Sequence, residues 1–200
     1  MSTSNREHYH HGDLRTALLE RALAMLQTSP NLSLRGLAKE EGVSPTAVYR
    51  HFSDKQALES ALAAHGYSQL HLKLQHTSTT IERAEDLWRM AYTYVVWAQE
   101  NQPLFSLMFT TQCDPTAPER VKAVKDITSF LSGLITHWYP ERCDEALLSA
   151  IWSLVHGMAT LAMQGKIFSP RPALPVEHSE HELQEHVRTC WQALMATPAQ

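Results

Sequence analysis

Residues 33–58 read Ser-Leu-Arg-Gly-Leu-Ala-Lys-Glu-Glu-Gly-Val-Ser-Pro-Thr-Ala-Val-Tyr-Arg-His-Phe-Ser-Asp-Lys-Gln-Ala-Leu. The stretch encodes two short helices joined by a tight turn. Ala38 is small, so a second helix can cross close above it. Gly42 falls where the turn needs a positive φ, which glycine reaches without a Cβ clash. Val48 points back into the seam between the helices. Ser44 then serves as N-cap and Pro45 as the first helical residue: the serine accepts an orphan N–H and the proline pre-sets φ. These positions together spell a helix-turn-helix.

Outward from this unit the chain is helical in period throughout. A first helix is predicted over 13–27, with Leu14, Ala17, Leu18, Ala22, Met25 and Leu26 on one stripe, ended by Ser29-Pro30-Asn31. The helices of the motif cover about 34–41 and 45–51. Ser53 with Gln56 reads as a capping box opening a fourth helix that runs to Leu74, where the polar run 75–80 breaks the pattern. A stripe from Ala84 to Ala98 stops before Pro103, and a short apolar segment fills 103–109. Asp114-Pro115 and Pro118 introduce a helix carrying Val121, Val124, Leu131, Ile135 and Trp138, ended by Pro140. Leu147, Ile151, Leu154, Val155, Met158 and Leu161 mark the next, which stops near Gly165. Pro170, Pro172 and Pro175 form a stiff connector to a last helix with Leu183, Val187, Cys190, Trp191 and Leu194. The expectation is an all-α fold of about nine helices, divided into a helix-turn-helix domain over 1–57 and an effector-binding and dimerisation domain over 58–200.

Composition narrows the function classes. At 200 residues, 44% apolar and 19% charged, the chain has the profile of an ordinary globular protein with a substantial core. The polar, histidine-rich start is not a signal peptide, and no uninterrupted apolar run approaches the ~20 residues of a membrane helix. A cytoplasmic protein without a membrane partner is expected. Cys113, Cys143 and Cys190 are widely separated and odd in number, which speaks for reduced thiols rather than zinc or disulfides. The net charge is −4, but residues 1–55 hold seven Lys/Arg against six acids, hence +1, leaving −5 for the rest. What matters for a polyanion is where the cations sit. No Ser/His/Asp or Cys/His set, Gly-rich phosphate loop or H-E-x-x-H motif is present, so no enzyme and no cofactor is implied.

Tyr9-His10-His11-Gly12-Asp13-Leu14-Arg15, the helix-turn-helix, and Tyr49-Arg50-His51-Phe52-Ser53-Asp54-Lys55 together resemble the TetR/AcrR family of bacterial transcriptional regulators. Motif, order and spacing agree over residues 9–62. Pro103-Leu104-Phe105-Ser106-Leu107-Met108-Phe109 and the run Trp152-Ser153-Leu154-Val155-His156-Gly157 look like motifs of one C-terminal subgroup. The resemblance implies a repressor that binds palindromic double-stranded DNA as a homodimer paired through its last two helices. It also implies a small-molecule effector in a cavity among the middle helices. On this basis Ser44, Pro45, Thr46, Ala47, Tyr49, Arg50 and His51 would face DNA, with Tyr49 and His51 on phosphates. Arg35 would reach a base edge, where a guanidinium can bond bidentately to guanine O6 and N7. Lys55 would neutralise a phosphate. The recognition helix is poor in donors, which shifts the weight of base reading to Arg35, Arg50 and thymine methyl contacts. The resemblance also places Trp191, Leu194 and Val187 with Leu154 and Met158 in the dimer bundle, although burial within one protomer would use the same residue types.

Trp88, Tyr92, Phe105, Met108, Phe109, Trp152 and His156 are the candidate effector-binding residues, and ordinary core packing would use the same side chains. Aromatic walls suit an apolar or cationic aromatic effector, and the scarcity of Lys/Arg in these stripes disfavours an anion. His8, His10 and His11 lack partners at metal-ligand spacing and read as an arm or a phosphate contact. A helical small-molecule-binding or partner-binding module without specific DNA activity is the competing expectation.

Overall fold

The computed structural model describes residues 11–29, 31–110, 117–168 and 179–196. The described residues form nine α-helices and one 3-10 turn, with no strand. α1 spans His11–Thr28, α2 Leu34–Glu41, α3 Pro45–Tyr49, α4 Lys55–Ser78, α5 Trp88–Glu100, α6 Gln102–Thr110, α7 Pro118–Trp138, α8 Glu145–Met163 and α9 Glu180–Met195, with the 3-10 turn at Ala84–Leu87. Residues 9 and 10 of the opening motif, His8, Cys113, the Asp114-Pro115 pair and the three-proline connector lie outside the described residues.

The head folds as its sequence dictates. Ser33 caps α2 by accepting from Gly36 N, and Ser44 caps α3 by accepting from Ala47 N with Pro45 in its first turn. Gly42 closes α2 at φ +71°, its N–H bonding the Lys39 carbonyl. Leu18, Ala22, Leu37, Ala38, Val48, Phe52, Leu58 and Leu62 are buried and knit α1–α4 together.

Three expectations are adjusted. The cap of α4 is Asp54, whose carboxylate accepts from Ala57 N at 2.8 Å, so the cap falls one residue beyond Ser53 and no Ser53–Gln56 box forms. α3 ends at Tyr49 because Arg50 and His51 turn the chain toward that cap. α4 runs through the polar segment to Ser78. Thr77 and Ser78 return their hydroxyls to the Lys73 and Gln75 carbonyls, and Thr77 pairs with Thr93 of α5 at 2.9 Å. Hydroxyl-to-carbonyl bonds of this kind satisfy polar side chains inside a helix at a small cost in helix stability. The boundary drawn at residue 57 therefore falls inside α4, which begins in the head and continues with Leu70 and Leu74 into the second half.

In that half α4 packs against α5, α6 and α7, while α8 and α9 both pack on α5. Gly66 of α4 is where α6 comes closest: a Cβ there would lie 2.5 Å from Met108 Sδ. Among the described residues α8 alone is long and apolar enough to cross a membrane, with mean hydropathy 1.6. Only 22% of that window is buried, so much of an apolar helix faces outward.

Candidate nucleic-acid interface and ligand cavity

α3 buries Val48 and presents its opposite side. Ser44, Pro45, Thr46, Tyr49 and Arg50 are exposed, Tyr49 at 47%, and Ala47 is half-exposed. Ser44 Oγ accepts the Ala47 N–H, which leaves its hydroxyl hydrogen available to an outside acceptor. Arg35 and Lys39 stand exposed on α2. Among the described residues no carboxylate pairs with Arg35, Lys39 or Arg50. Lys39 escaped the sequence reading, although it lies one turn beyond Arg35. Lys55 is held by Glu59 at 3.3 Å, so meeting a phosphate means sharing or leaving that partner. His51 is half-buried and lines a recess between the head and the first turn of α7.

Across that recess Arg15 Nη2 meets Glu119 Oε2 at 2.6 Å, with the guanidinium 5.3 Å from the Phe52 ring centre. Arg120, 3% exposed, donates to the Met108 carbonyl near the end of α6 at 2.9 Å. The Tyr67 hydroxyl of α4 reaches the same carbonyl at 3.4 Å. The head, α4, α6 and the start of α7 thus converge on one small region.

Behind it lies a cavity of about 580 Å³. α7 supplies eight lining residues, among them Val124, Ile127, Leu131 and Ile135, and α8 supplies Leu148, Ile151, Trp152 and Val155. Tyr67, Leu70 and Leu74 of α4, Met90, Ala91 and Tyr94 of α5, Phe109 of α6 and Trp191 of α9 complete most of the rest. Thr128, Ser129 and Ser132 form a hydroxyl strip along α7. No lining residue is Asp, Glu, Lys, Arg or His. Stripping a lone ion of water costs several kcal/mol, whereas a cation over an aromatic ring regains about 0.5–2 kcal/mol. The rings alone do not offset the entry of a cation.

Of the sequence-derived candidates, the structure brings Phe109 and Trp152 to the cavity wall. The other five stand off it. Phe105 and His156 form a second layer: His156 stacks on Phe105 at 5.3 Å and on Trp152 at 5.1 Å, and its Nδ1 meets the Tyr94 hydroxyl at 3.1 Å. Burial lowers the His156 pKa and raises that of Tyr94, so both side chains are neutral at pH 7. Met108 is spent against Gly66. Trp88 and Tyr92 turn toward α9, where Arg188 lies 5.8 Å from the Trp88 ring and Tyr92 donates to Glu180 at 3.1 Å. Of the five only Trp88 falls on an apolar stripe read from helical spacing, and the neighbouring helices decided which side chains meet the cavity. Tyr67, Tyr94 and Trp191 were missed as lining residues. Tyr94 lies three residues from Ala91, already on the predicted stripe, which is the signal that could have found it.

Of the residues assigned to a dimer bundle, Val187, Trp191 and Met158 are buried within the protomer. Leu154 and Leu194 stay half-exposed, and on α8 Trp152 is 46% and Leu161 43% exposed.

Comparison with known proteins agrees at both ends. Residues 18–62 match the family described as bacterial regulatory proteins, tetR family, and residues 87–187 match a tetracyclin repressor-like C-terminal domain. A protein of unknown function from Rhodococcus sp. RHA1 is 29% identical, with a TM-score of 0.76 over 96% of this chain and 100% of that one. The TetR family transcriptional regulator PfmR from Thermus thermophilus shares the fold at 17% identity and a TM-score of 0.59, covering 92% and 99% of the two chains. The multidrug binding protein EbrR, solved with imidazole, does so at 16% identity and 0.56, with 100% of both chains covered. With an exposed helix-turn-helix joined by one continuous helix to a cavity-bearing helical body, the chain belongs to the TetR family of transcriptional regulators.

Proposed function

We propose that this regulator is a ligand-released repressor that binds a palindromic operator as a homodimer. The observation that carries the reading is the unpaired cation set of Arg35, Lys39 and Arg50 around an exposed recognition helix. α4 carries that head directly into the cavity wall. Tyr49 and the Ser44 hydroxyl hold phosphates, and Arg35 and Arg50 read base edges, with Pro45, Thr46 and Ala47 packing on thymine methyls. His51 and Lys55 flank the contact and add phosphate bonds.

The effector is a small, mainly apolar molecule bound between α7 and α8. Its entry displaces α7; the Arg15–Glu119 link carries that displacement to the head, and the Arg120–Met108 link carries it to α6, whose Met108 carbonyl also receives the Tyr67 hydroxyl of α4. Repression ends because the ligand favours a spacing of the two heads that the operator does not. The outward side of α8, where Ser153 and Gly157 lie between Trp152 at one edge and Leu154 and Leu161 at the other, is covered by the same side of a second copy. The protein acts in the cytoplasm, where the operator is.

Selection of bound duplexes from a random pool returns the half-site and its spacing. On the selected duplex, Arg35→Ala and Tyr49→Ala each abolish retardation at moderate salt while helix content is unchanged. Wild-type affinity in both variants would overturn the docking. Equal, steeply salt-dependent binding to every duplex would point instead to phosphate contact without sequence reading.

A further inference from the structure

The cavity also carries information about what it holds. Its wall has no formal charge, so an ion inside would lose its hydration without a counter-ion. Its hydroxyls are largely engaged. Tyr94 is bonded to His156, Tyr67 reaches the Met108 carbonyl, Thr128 returns to the Val124 and Lys125 carbonyls, and Ser132 returns to that of Ser129. One polar atom of the lining residues is different. Trp191 is 3% exposed and its indole N–H is buried with no acceptor. A buried donor without a partner is costly, and because the indole nitrogen is closed off from the cavity space, an acceptor delivered by a ligand removes the cost by drawing the ring round toward it.

We infer that the cavity is built for an uncharged, largely apolar molecule bearing a hydrogen-bond acceptor, such as a ketone, ester, lactone or ether, which the Trp191 N–H recognises. The inference rests on the cavity being the effector site and narrows its chemistry. The Phe109 and Trp152 rings hold the apolar body, and the neutral Tyr94–His156 pair behind them keeps the wall free of charge near pH 7. The hydroxyl strip on α7 gives the polar end of a longer ligand somewhere to rest.

Two probes with one arene separate charge from shape. N-phenyl-1-naphthylamine is uncharged, and 1-anilinonaphthalene-8-sulfonate adds a sulfonate to it; proflavine supplies a flat cation. Fluorescence titration of the full chain should show saturable binding of the neutral probe, with the sulfonate and the cation at least ten-fold weaker. Either ion binding as tightly as the neutral probe would overturn the assignment. Val124→Trp and, separately, Leu131→Phe narrow the cavity and should weaken the neutral probe, with folding checked by circular dichroism. Unchanged binding in both folded variants would place the probe elsewhere and overturn it too. For the acceptor, 1-acetonaphthone should displace the probe several-fold better than 1-ethylnaphthalene. Trp191→Phe, which keeps a ring but removes the N–H, should erase that preference. A preference that survives in Trp191→Phe overturns the role of the indole. No operator is used, so failure here leaves the DNA reading intact, and loss of operator recognition leaves the cavity chemistry intact.

Discussion

Gly66→Ala tests how tightly the helix that links head and cavity is fitted to its neighbour. Gly66 is buried in α4, and a Cβ there would meet Met108 Sδ at 2.5 Å and both Leu104 Cγ and Met108 Cγ at 3.1 Å. Ordinary contact begins near 3.4 Å, so the sulfur must retreat by roughly 1 Å and the two carbons by a few tenths. A methionine tip on the surface could swing aside. Met108 is 1% exposed and Leu104 2%, and the crowded Cγ atoms sit close to their own backbone, so α6 itself must yield. Overpacking of this kind costs about 1–3 kcal/mol. Against it stands a gain of about 0.8–1 kcal/mol from replacing a mid-helix glycine by alanine. The balance runs from near zero to a loss of about 2 kcal/mol. Gly133 of α7 is the control, since a Cβ there meets nothing within 4 Å. Gly133→Ala should keep the helix gain and raise stability by about 0.5–1 kcal/mol. At one protein concentration the helix gain is common to both variants, so they should differ by the overpacking cost of about 1–3 kcal/mol, or roughly 2–12 °C in thermal midpoint at about 2–4 °C per kcal/mol for a chain of this size. Gly66→Ala melting at or above Gly133→Ala would refute the close-packed α4–α6 contact.

Two further outcomes follow from the same geometry. Burial lowers the pKa of His156 and of His65, the latter against an opposing pull from Glu20. Below about pH 6.5 the unfolded chain binds protons that the native state refuses, so stability is full above that pH and falls as pH drops through the native values. The melting midpoint should therefore fall between pH 7.5 and 5.5, and less steeply in a His65→Gln/His156→Gln double variant; equal slopes would remove these residues from the account. For the α8 face, Leu154→Glu with Leu161→Glu should convert a dimer to a monomer in light scattering while helix content is retained, and an unchanged mass would move the interface elsewhere.

The start of the chain shows how much local chemistry can specify. The Ser44 cap, Pro45 in the first turn of α3 and the left-handed Gly42 are readable because each depends on groups no more than four residues apart. The fold class was readable for a similar reason, since helical periodicity is a property of one segment. The error at Ser53 and Asp54 has the opposite lesson. Both side chains are competent caps, and the choice between them is made by the turn that brings α4 under Phe52, which is buried in the head core.

The cavity is where local reading stopped. Trp88 and Trp152 both sit on apolar helical faces, yet one packs near Arg188 of α9 and the other lines the cavity. Trp191 suits a dimer bundle or the protomer core equally by residue type, and it is buried within the protomer. Periodicity says that a face will be buried without saying against what, because that depends on helix crossings set by residues far away in sequence. The helices, the Ser44 and Gly42 caps and the exposed arginines beside α3 were legible in the bare chain, since all of them rest on contacts within a turn or two. Packing between distant segments was needed to make the wall uncharged, to set Tyr94 against a neutral His156, and to leave the Trp191 N–H without an acceptor. Those features arise where several helices meet, and no single segment contains them.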